Sequence, residues 1–472
     1  MIHIKTLFFI FLMLGVTKSY AQDGETMDLK QCIDFAWQNN IQVRQAELNV
    51  RQAELTKKQA KFAPYPSLNA SYRHGGNFGR SIDFTSYQYV TTATHSAQVG
   101  LNLNVPIFQG MQLKNRLKQS FTDLQASLKD LEQSKETIGL SIAQGYLSIL
   151  LAEEQVEVLK EQTKVTEAQL DRTLNLIKAG TLPENSRFDL EAQLARDEQG
   201  IVNAENGVEF AYVNLKVLMN MEITKPLKVQ KIEFVIPDTQ EEWNVEDIYV
   251  EASANMPNII AARMREESAA IGVKIAKGAL YPTVSAYGSL TSNFSSAARE
   301  RTVEQTTETI DLDIFGVQVP VGFPSVRTIE GGIIPFQKQI WENIYTNVGV
   351  SVNVPIFNGF QTHIAIERAE LGVKIAELNS KQVQVQLKSD IERAILDVKA
   401  AQKSLVAAEK SLKATRASVD NTRKRFEIGV INGFELTSVQ NMLMSAESTL
   451  IQAKYDYIFK LKVLDFYRGV KL

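Results

Sequence analysis

Two segments of the chain alternate strictly between apolar and polar positions, the pattern of a β-strand with one apolar face. In the first, apolar residues occupy every second position from Val99 to Val105, with Gly and Asn between them. In the second, valines alternate in the same way from Val348 to Val354. A partner segment with the same period lies upstream of each. The patterns predict four strands, over residues 67–74, 96–105, 283–292 and 345–354.

Long segments without proline follow the second strand of each pair, and their apolar residues recur in steps of four and three. This spacing is a coiled-coil seam. A helix of this length extends about 100 Å. Shorter helices precede the strands and end at prolines, which cannot continue a helix. We predict helices over residues 29–61, 112–179, 186–220, 361–428 and 435–467, and a further helix from Asn244 to before Pro282. We expect the helices over 29–61 and 186–220 to stack end to end beside the first long helix.

The chain contains an internal repeat. The Val-Pro-Ile-Phe block around Pro106 recurs 249 residues later around Pro355, and Tyr65-Pro66 recurs 216 residues later as Tyr281-Pro282. The second copy therefore carries 33 extra residues between its two prolines. We assign the first copy to residues 22–222, an equatorial linker to 223–243 and the second copy to 244–472. Segment 293–343, which contains the insertion, is expected to be an extracellular loop.

Composition excludes several classes of protein. The 472 residues carry a formal net charge of −3, so the chain lacks the basic excess of a nucleic-acid binder. A single cysteine, Cys32, allows no internal disulfide, and four histidines without ligand spacing argue against a metal site. No phosphate loop, Gly-x-Ser-x-Gly elbow or His-Glu-x-x-His motif occurs. We expect neither an enzyme nor a cofactor.

The N-terminus resembles a secretory signal peptide. Lys5 is followed by an apolar run from Leu7 to Val16 and by Ser19-Tyr20-Ala21, a small-x-small cleavage site. We assign residues 1–21 to the signal peptide, and an N-terminal anchor is the alternative. The run is shorter than the roughly 20 residues of a membrane span. A chain that crosses a membrane without such a helix must use strands.

Four strands cannot close a membrane barrel, because small barrels need at least eight, and lipid does not tolerate open edges. Assembly with copies of the same chain would solve this problem. Three chains would give twelve strands, whereas two would give a tight barrel filled by its own side chains. A half-buried strand of a soluble protein has the same period, so a periplasmic coiled-coil scaffold or adaptor protein is the alternative.

Several of these features resemble those of TolC-type outer-membrane efflux proteins. The resemblance rests on the two Pro-Ile-Phe-(Gln/Asn)-Gly blocks, the two Tyr-Pro pairs and two glycines, Gly180 and Gly429, each 70 residues after the glycine of its block. It implies a mainly α mixed fold, with a long antiparallel coiled-coil tunnel and a 12-stranded barrel in a homotrimer. It also implies a periplasmic adaptor, an inner-membrane pump and outer-membrane lipid as partners. Such a protein is a passive exit duct of a tripartite efflux or type I secretion system.

The resemblance also implies two sets of functional residues, and the prolines give a third. Family members use the helix tips to dock the adaptor and an acidic ring to line the closed pore, and prolines mark the strand–helix junctions because they cannot continue a helix. Helix capping is the alternative role of the tip glycines, and a solvated helix terminus is the alternative for Glu435. The tyrosine and arginine that lock the tip in family members are here Phe426 and Ile431. The predicted sets are Gly180, Gly429, Phe426 and Arg425 for docking; Glu435, Ser438 and Ser186 for the gate; and Pro66, Pro106, Pro282 and Pro355 for the junctions.

Overall fold

The computed structural model describes residues 25–82, 87–91, 93–232, 243–314, 316–428, 430–431 and 433–470. The predicted signal peptide, Gly429 and residues 233–242 of the predicted linker lie outside the described residues. The described chain is mainly helical. None of its helices combines the length and the hydropathy that a membrane span requires.

Helices of 11, 22, 67 and 35 residues each occur twice in the same order. They are α1 (Leu29–Asn39), α2 (Ile41–Phe62), α3 (Gln112–Lys178), α4 (Asn185–Met219), α5 (Val245–Asn255), α6 (Pro257–Gly278), α8 (Gln361–Glu427) and α9 (Gly433–Tyr467), with a short α7 (Phe336–Glu342) between α6 and α8. The strands are β1 (Glu25–Met27), β2 (Ser67–Asn77), β3 (Ser81–Ile82), β4 (Tyr89–Val90), β5 (Thr94–Gln109), β6 (Leu227–Val229), β7 (Thr283–Ser295), β8 (Arg299–Ile314), β9 (Val317–Ile333) and β10 (Tyr345–Asn353).

The chain divides into two compact units. A helical unit comprises described residues 25–52, 125–264 and 378–470, and a sheet unit comprises described residues 53–124 and 265–377. In the core of the helical unit, the buried Tyr146 hydroxyl donates to the carbonyl of Gln230, at 2.5 Å. The parallel pair β1–β6 is thereby tied to α3. Cys32 is fully buried in the same core, and burial raises the pKa of its thiol to about 12.

The helix predicted over 29–61 is interrupted at Asn40, which corrects that prediction. Asn40 is extended, and its Oδ1 accepts hydrogen bonds from the amides of Gln42 and Val43, so it caps α2. Its Nδ2 donates to the carbonyl of Leu218 at 2.7 Å, and Asn220 returns a bond to Asn39. The C-terminal end of α4 therefore meets the start of α2. The predicted end-to-end stacking placed this meeting point at residue 29, the start of α1, which is one short helix earlier in the chain.

The second copy has the corresponding interruption between α5 and α6. Met256 is extended because the following residue is Pro257, whose ring disfavours a helical conformation before it. Pro257 then occupies the first position of α6, where no amide hydrogen is needed. Both breaks thus come from a local signal, an asparagine cap in one copy and a proline in the other.

The sheet unit contains a four-stranded antiparallel sheet in the order β10-β7-β5-β2. The register brings the apolar positions of all four strands onto one face, since Ala70 lies opposite Leu101, Leu101 opposite Leu290, and Val350 opposite Ala286. The other face carries Asn69, Asn102, Ser289 and Asn347 in the same way. Strands β2 and β10 form the two outer edges of this sheet.

One further prediction for the sheet unit needs correction. Strand β5 does not end before Pro106 but runs to Gln109. The pairing of β5 with β7 is irregular between Pro106 and Phe108, and this irregularity accommodates the proline, which has no amide hydrogen to donate. Segment 293–343, which is predicted to be an extracellular loop, has regular structure of its own. It contains the end of β7, the antiparallel hairpin β8–β9 and helix α7.

Candidate gate and docking tips

The first tip joins α3 to α4, and Gly180 ends α3 in a left-handed conformation with φ of +73°. Its amide donates to the carbonyl of Ile177 at 2.9 Å, and the amide of Thr181 donates to Leu176 at 3.0 Å. These two bonds form a Schellman cap. A Cβ at Gly180 would meet no atom within 4 Å. The backbone conformation, rather than a lack of space, therefore favours glycine here.

The second tip joins α8 to α9 and closes with a related hydrogen bond. The amide of Val430 donates to the carbonyl of Arg425 at 3.0 Å, five residues back, as Thr181 does at the first tip. Arg425 is exposed and Phe426 is half-buried. Gly429 lies outside the described residues.

The predicted gate residues occupy the first turns of the two helices that follow the tips. Ser186 lies in the first turn of α4, where its amide donates to the carbonyl of Pro183 at 3.1 Å. Glu435 is exposed in the first turn of α9, and Ser438 is half-buried one turn further along. A ring of carboxylates requires several chains, so the gate stays a prediction.

Of the junction prolines, Pro66 and Pro282 directly precede β2 and β7, and Pro355 follows the end of β10. Pro106 lies inside β5 and does not mark its end. In the part of the chain that the structure describes, no group of three His, Cys, Asp or Glu residues could hold a metal ion.

Near the tips, two polar contacts join the α3–α4 pair to the α8–α9 pair. Arg172 Nη1 lies 3.4 Å from Glu427 Oε1 in an exposed ion pair. Gln193 Nε2 donates to Asn441 Oδ1 at 3.3 Å. These contacts could not be predicted from the sequence, because residues of separate helices carry no periodic signal of their pairing.

A buried polar network lies between α3 and α4. Asp197 is only 5% exposed, and its carboxylate accepts from Thr166 Oγ1 at 2.6 Å and from Gln193 Nε2 at 2.7 Å. Arg196 donates to Gln193 Oε1 at 2.8 Å. Polar residues at seam positions of coiled coils fix register at a cost in stability. We infer that this network sets the register of α3 against α4.

The two long helices differ in the seam that they bury on the way to their tips. Threonine and glutamine predominate on α3, whereas alanine, leucine and valine predominate on α8. The buried residues are Thr163, Thr166, Gln169 and Thr173 on α3, and Leu405, Ala408, Leu412 and Val419 on α8. The α3–α4 seam therefore buries more hydrogen-bonding side chains than the α8–α9 seam does.

Thr166→Val should loosen the α3–α4 pair near the tip. Valine keeps the shape of the side chain but removes a donor from a buried carboxylate, at a cost of about 1–3 kcal/mol. Amide hydrogen exchange should show faster local opening in α3 and α4. The matched control is Thr163→Val, since buried Thr163 donates only to the backbone of Leu159. Equal exchange in the two variants would contradict a role for the Asp197 bond.

Comparison with known proteins places this geometry in a family. The family model described as outer membrane efflux protein matches residues 32–221 and 248–469. The outer membrane efflux protein BepC of Brucella suis biovar 1 is 22% identical over 342 residues, which cover 71% of this chain and 62% of BepC. The chain thus spans less than two thirds of that curated relative.

Solved structures share the fold. The chain matches CusC with a TM-score of 0.73 at 15% identity, covering 95% of this chain and 93% of CusC. It matches the CmeC outer membrane channel of Campylobacter jejuni with a TM-score of 0.72 at 17% identity, covering 96% of this chain and 88% of CmeC. Because the family model covers most of the sequence, the chain belongs to the outer membrane efflux protein family of TolC-type proteins.

Proposed function

We propose that the chain is the outer-membrane exit duct of a tripartite efflux or type I secretion system. It would conduct substrates passively from an inner-membrane pump and a periplasmic adaptor to the outside, after removal of residues 1–21. One observation carries this proposal. The four strands present a continuous apolar face on one side of the sheet and small polar residues on the other.

That apolar face is exposed in the single chain. Val350 is 63% exposed, and Leu68 and Tyr72 on the opposite edge strand are exposed to a similar extent. An apolar outer face opposite a polar lumen is the pattern of an outer-membrane barrel. A soluble periplasmic scaffold would leave this face in water, which disfavours the alternative function.

Three chains would close the barrel. The sheet has two open edges, β2 and β10, and an open edge in lipid leaves backbone groups unpaired. Pairing β10 of one chain with β2 of the next gives twelve strands in a homotrimer. Two chains would give eight strands, whose interior has room only for side chains. The helices of equal length in the two copies would surround the duct in the periplasm.

The adaptor would dock at the tips, through Gly180 at the first tip and through Gly429, Phe426 and Arg425 at the second. The contacts Arg172–Glu427 and Gln193–Asn441 support a closed arrangement that holds the two helix pairs together without the usual tyrosine and arginine. Opening would then require these polar contacts to separate.

Planar-bilayer recordings test the duct and its gate together. Purified wild-type protein should conduct and favour cations, because three copies of Glu435 would form an acidic ring. Glu435→Gln should reduce cation selectivity and block by divalent cations severalfold. The control is Glu447→Gln, which removes the same charge from the same helix at a site paired with Arg416. A wild-type protein that leaves the membrane in buffer without detergent would refute the duct, and unchanged selectivity in Glu435→Gln would refute the gate.

A further inference from the structure

The hairpin β8–β9 in segment 293–343 has two chemically different faces. Directly opposed pairs such as Ile310–Val321 and Leu312–Val319 share one face, and Thr309–Gly322 and Asp311–Pro320 share the other. Near the turn the first face is therefore apolar and the second is polar and acidic. The apolar face near the turn consists of Ile310, Leu312, Val317, Val319 and Val321, of which all but Val321 are exposed, and it ends at the pair Glu308–Phe323.

The base of the hairpin is firmly anchored to the sheet. Gln339 of α7 is 1% exposed, accepts from the amide of Ser295 at 2.9 Å and donates to the carbonyls of Ser295 and Ile334. Phe336 packs edge-on against Phe294, with ring centroids 5.0 Å apart. The hairpin therefore starts next to this anchor, at the end of β7 opposite α6.

An isolated two-stranded hairpin is only marginally stable in water, and an aligned apolar face on it marks an interface. An anionic lipid surface is a poor occupant, since segment 299–333 carries six acidic and three basic residues. A second copy is the better occupant. In the proposed trimer three identical hairpins start from one rim, which holds their apolar faces at a high effective concentration.

We propose that, in the assembled trimer, the apolar faces of the β8–β9 hairpins pack against one another beyond the rim of the barrel. The acidic faces then point outward to water. This inference rests on the proposed function, because it needs neighbouring chains. It assigns the 33-residue insertion a role in the contact between chains, in addition to the strand edges.

Disulfide trapping in the full-length protein tests the packing. Leu312→Cys places a thiol on the apolar face, and the matched control Asp311→Cys places one on the opposite face. Native Cys32 does not compete, because its thiol is buried and its pKa is raised to about 12. After mild oxidation in the membrane, we expect disulfide-linked dimers on a denaturing gel for Leu312→Cys, at least about tenfold more than for Asp311→Cys.

A second pair of cysteine variants keeps the test decisive if either variant of the first pair fails to fold. Val319→Cys lies directly opposite Leu312, and Gln318→Cys is its control. The mass of the detergent-solubilised particle is measured in parallel. A trimer without dimers from either apolar-face variant, or with equal amounts from the controls, would overturn the hairpin contact alone. A monomeric particle would overturn the hairpin contact and the proposed duct together.

Discussion

Gly110→Ala should prevent folding of the sheet unit and leave little protein in the outer membrane. Gly110 joins β5 to α3 with φ of +55°, and a Cβ there would lie 2.0 Å from the carbonyl oxygen of Gly278. Gly278 ends α6, and a Cβ on it would lie 2.6 Å from the carbonyl oxygen of Gly110. The backbones cannot separate easily, because Gln109 pairs with Thr283 next to this contact.

The matched control for this prediction is Gly359→Ala. Gly359 has φ of +63°, but a Cβ there would meet no atom within 4 Å. The control therefore carries only the cost of a left-handed alanine, about 1–2 kcal/mol. Heat-resistant oligomers in outer-membrane fractions provide the measurement. Similar yields for the two alanine variants would show that the contact between Gly110 and Gly278 is not required.

Val350→Arg should destabilise the protein in the membrane by about 2–4 kcal/mol, the cost of an arginine on the lipid face of a barrel near the midplane. Ser351→Arg should cost much less, because Ser351 is the next residue of β10 and lies on the polar face. Both residues are on the same edge strand, so any effect on pairing between chains is shared. Denaturant unfolding in lipid vesicles measures the difference.

The result for Val350→Arg also separates the two functions considered for this chain. A soluble scaffold with an exposed valine would tolerate arginine at either position. Equal stability of the Val350 and Ser351 variants would therefore remove the main support for a barrel.

The regular parts of the fold could be predicted from the sequence because the apolar residues of each recur with a clear period. The four strands of the sheet begin within two residues of their predicted starts, and the long helices end within one residue of theirs. Irregular points were predicted less well. Asn40 was missed because a cap inside a helical pattern looks like one polar residue among many.

A proline predicted the end of a strand correctly only where the position of that strand in the sheet allowed it to end. In β10, an edge strand, regular structure ends at Asn353, before Pro355. In β5, a central strand, pairing with β7 continues past Pro106 because Phe108 and Gln109 still find partners. The same Pro-Ile-Phe block therefore has two outcomes, and the position of the strand in the sheet decides between them.

At the tips the sequence indicated the glycine turn but not the polar network. Gln193 and Asp197 occupy seam positions, four residues apart on α4, and a search for polar residues on the apolar stripe could have found them. Their partners, Thr166 on α3 and Asn441 on α9, could not be assigned without the structure, because the spacing along one helix does not determine its neighbours.

The hairpin β8–β9 leaves and rejoins the rim at a single point, where the amide of Ile334 donates to the carbonyl of Ala298 at 3.0 Å. Because those two residues are already in contact, the number of residues between them can change without changing the geometry of the four-stranded sheet. In the proposed outer-membrane duct, foreign peptides could replace the hairpin there and be displayed at the cell surface without disturbing the strands.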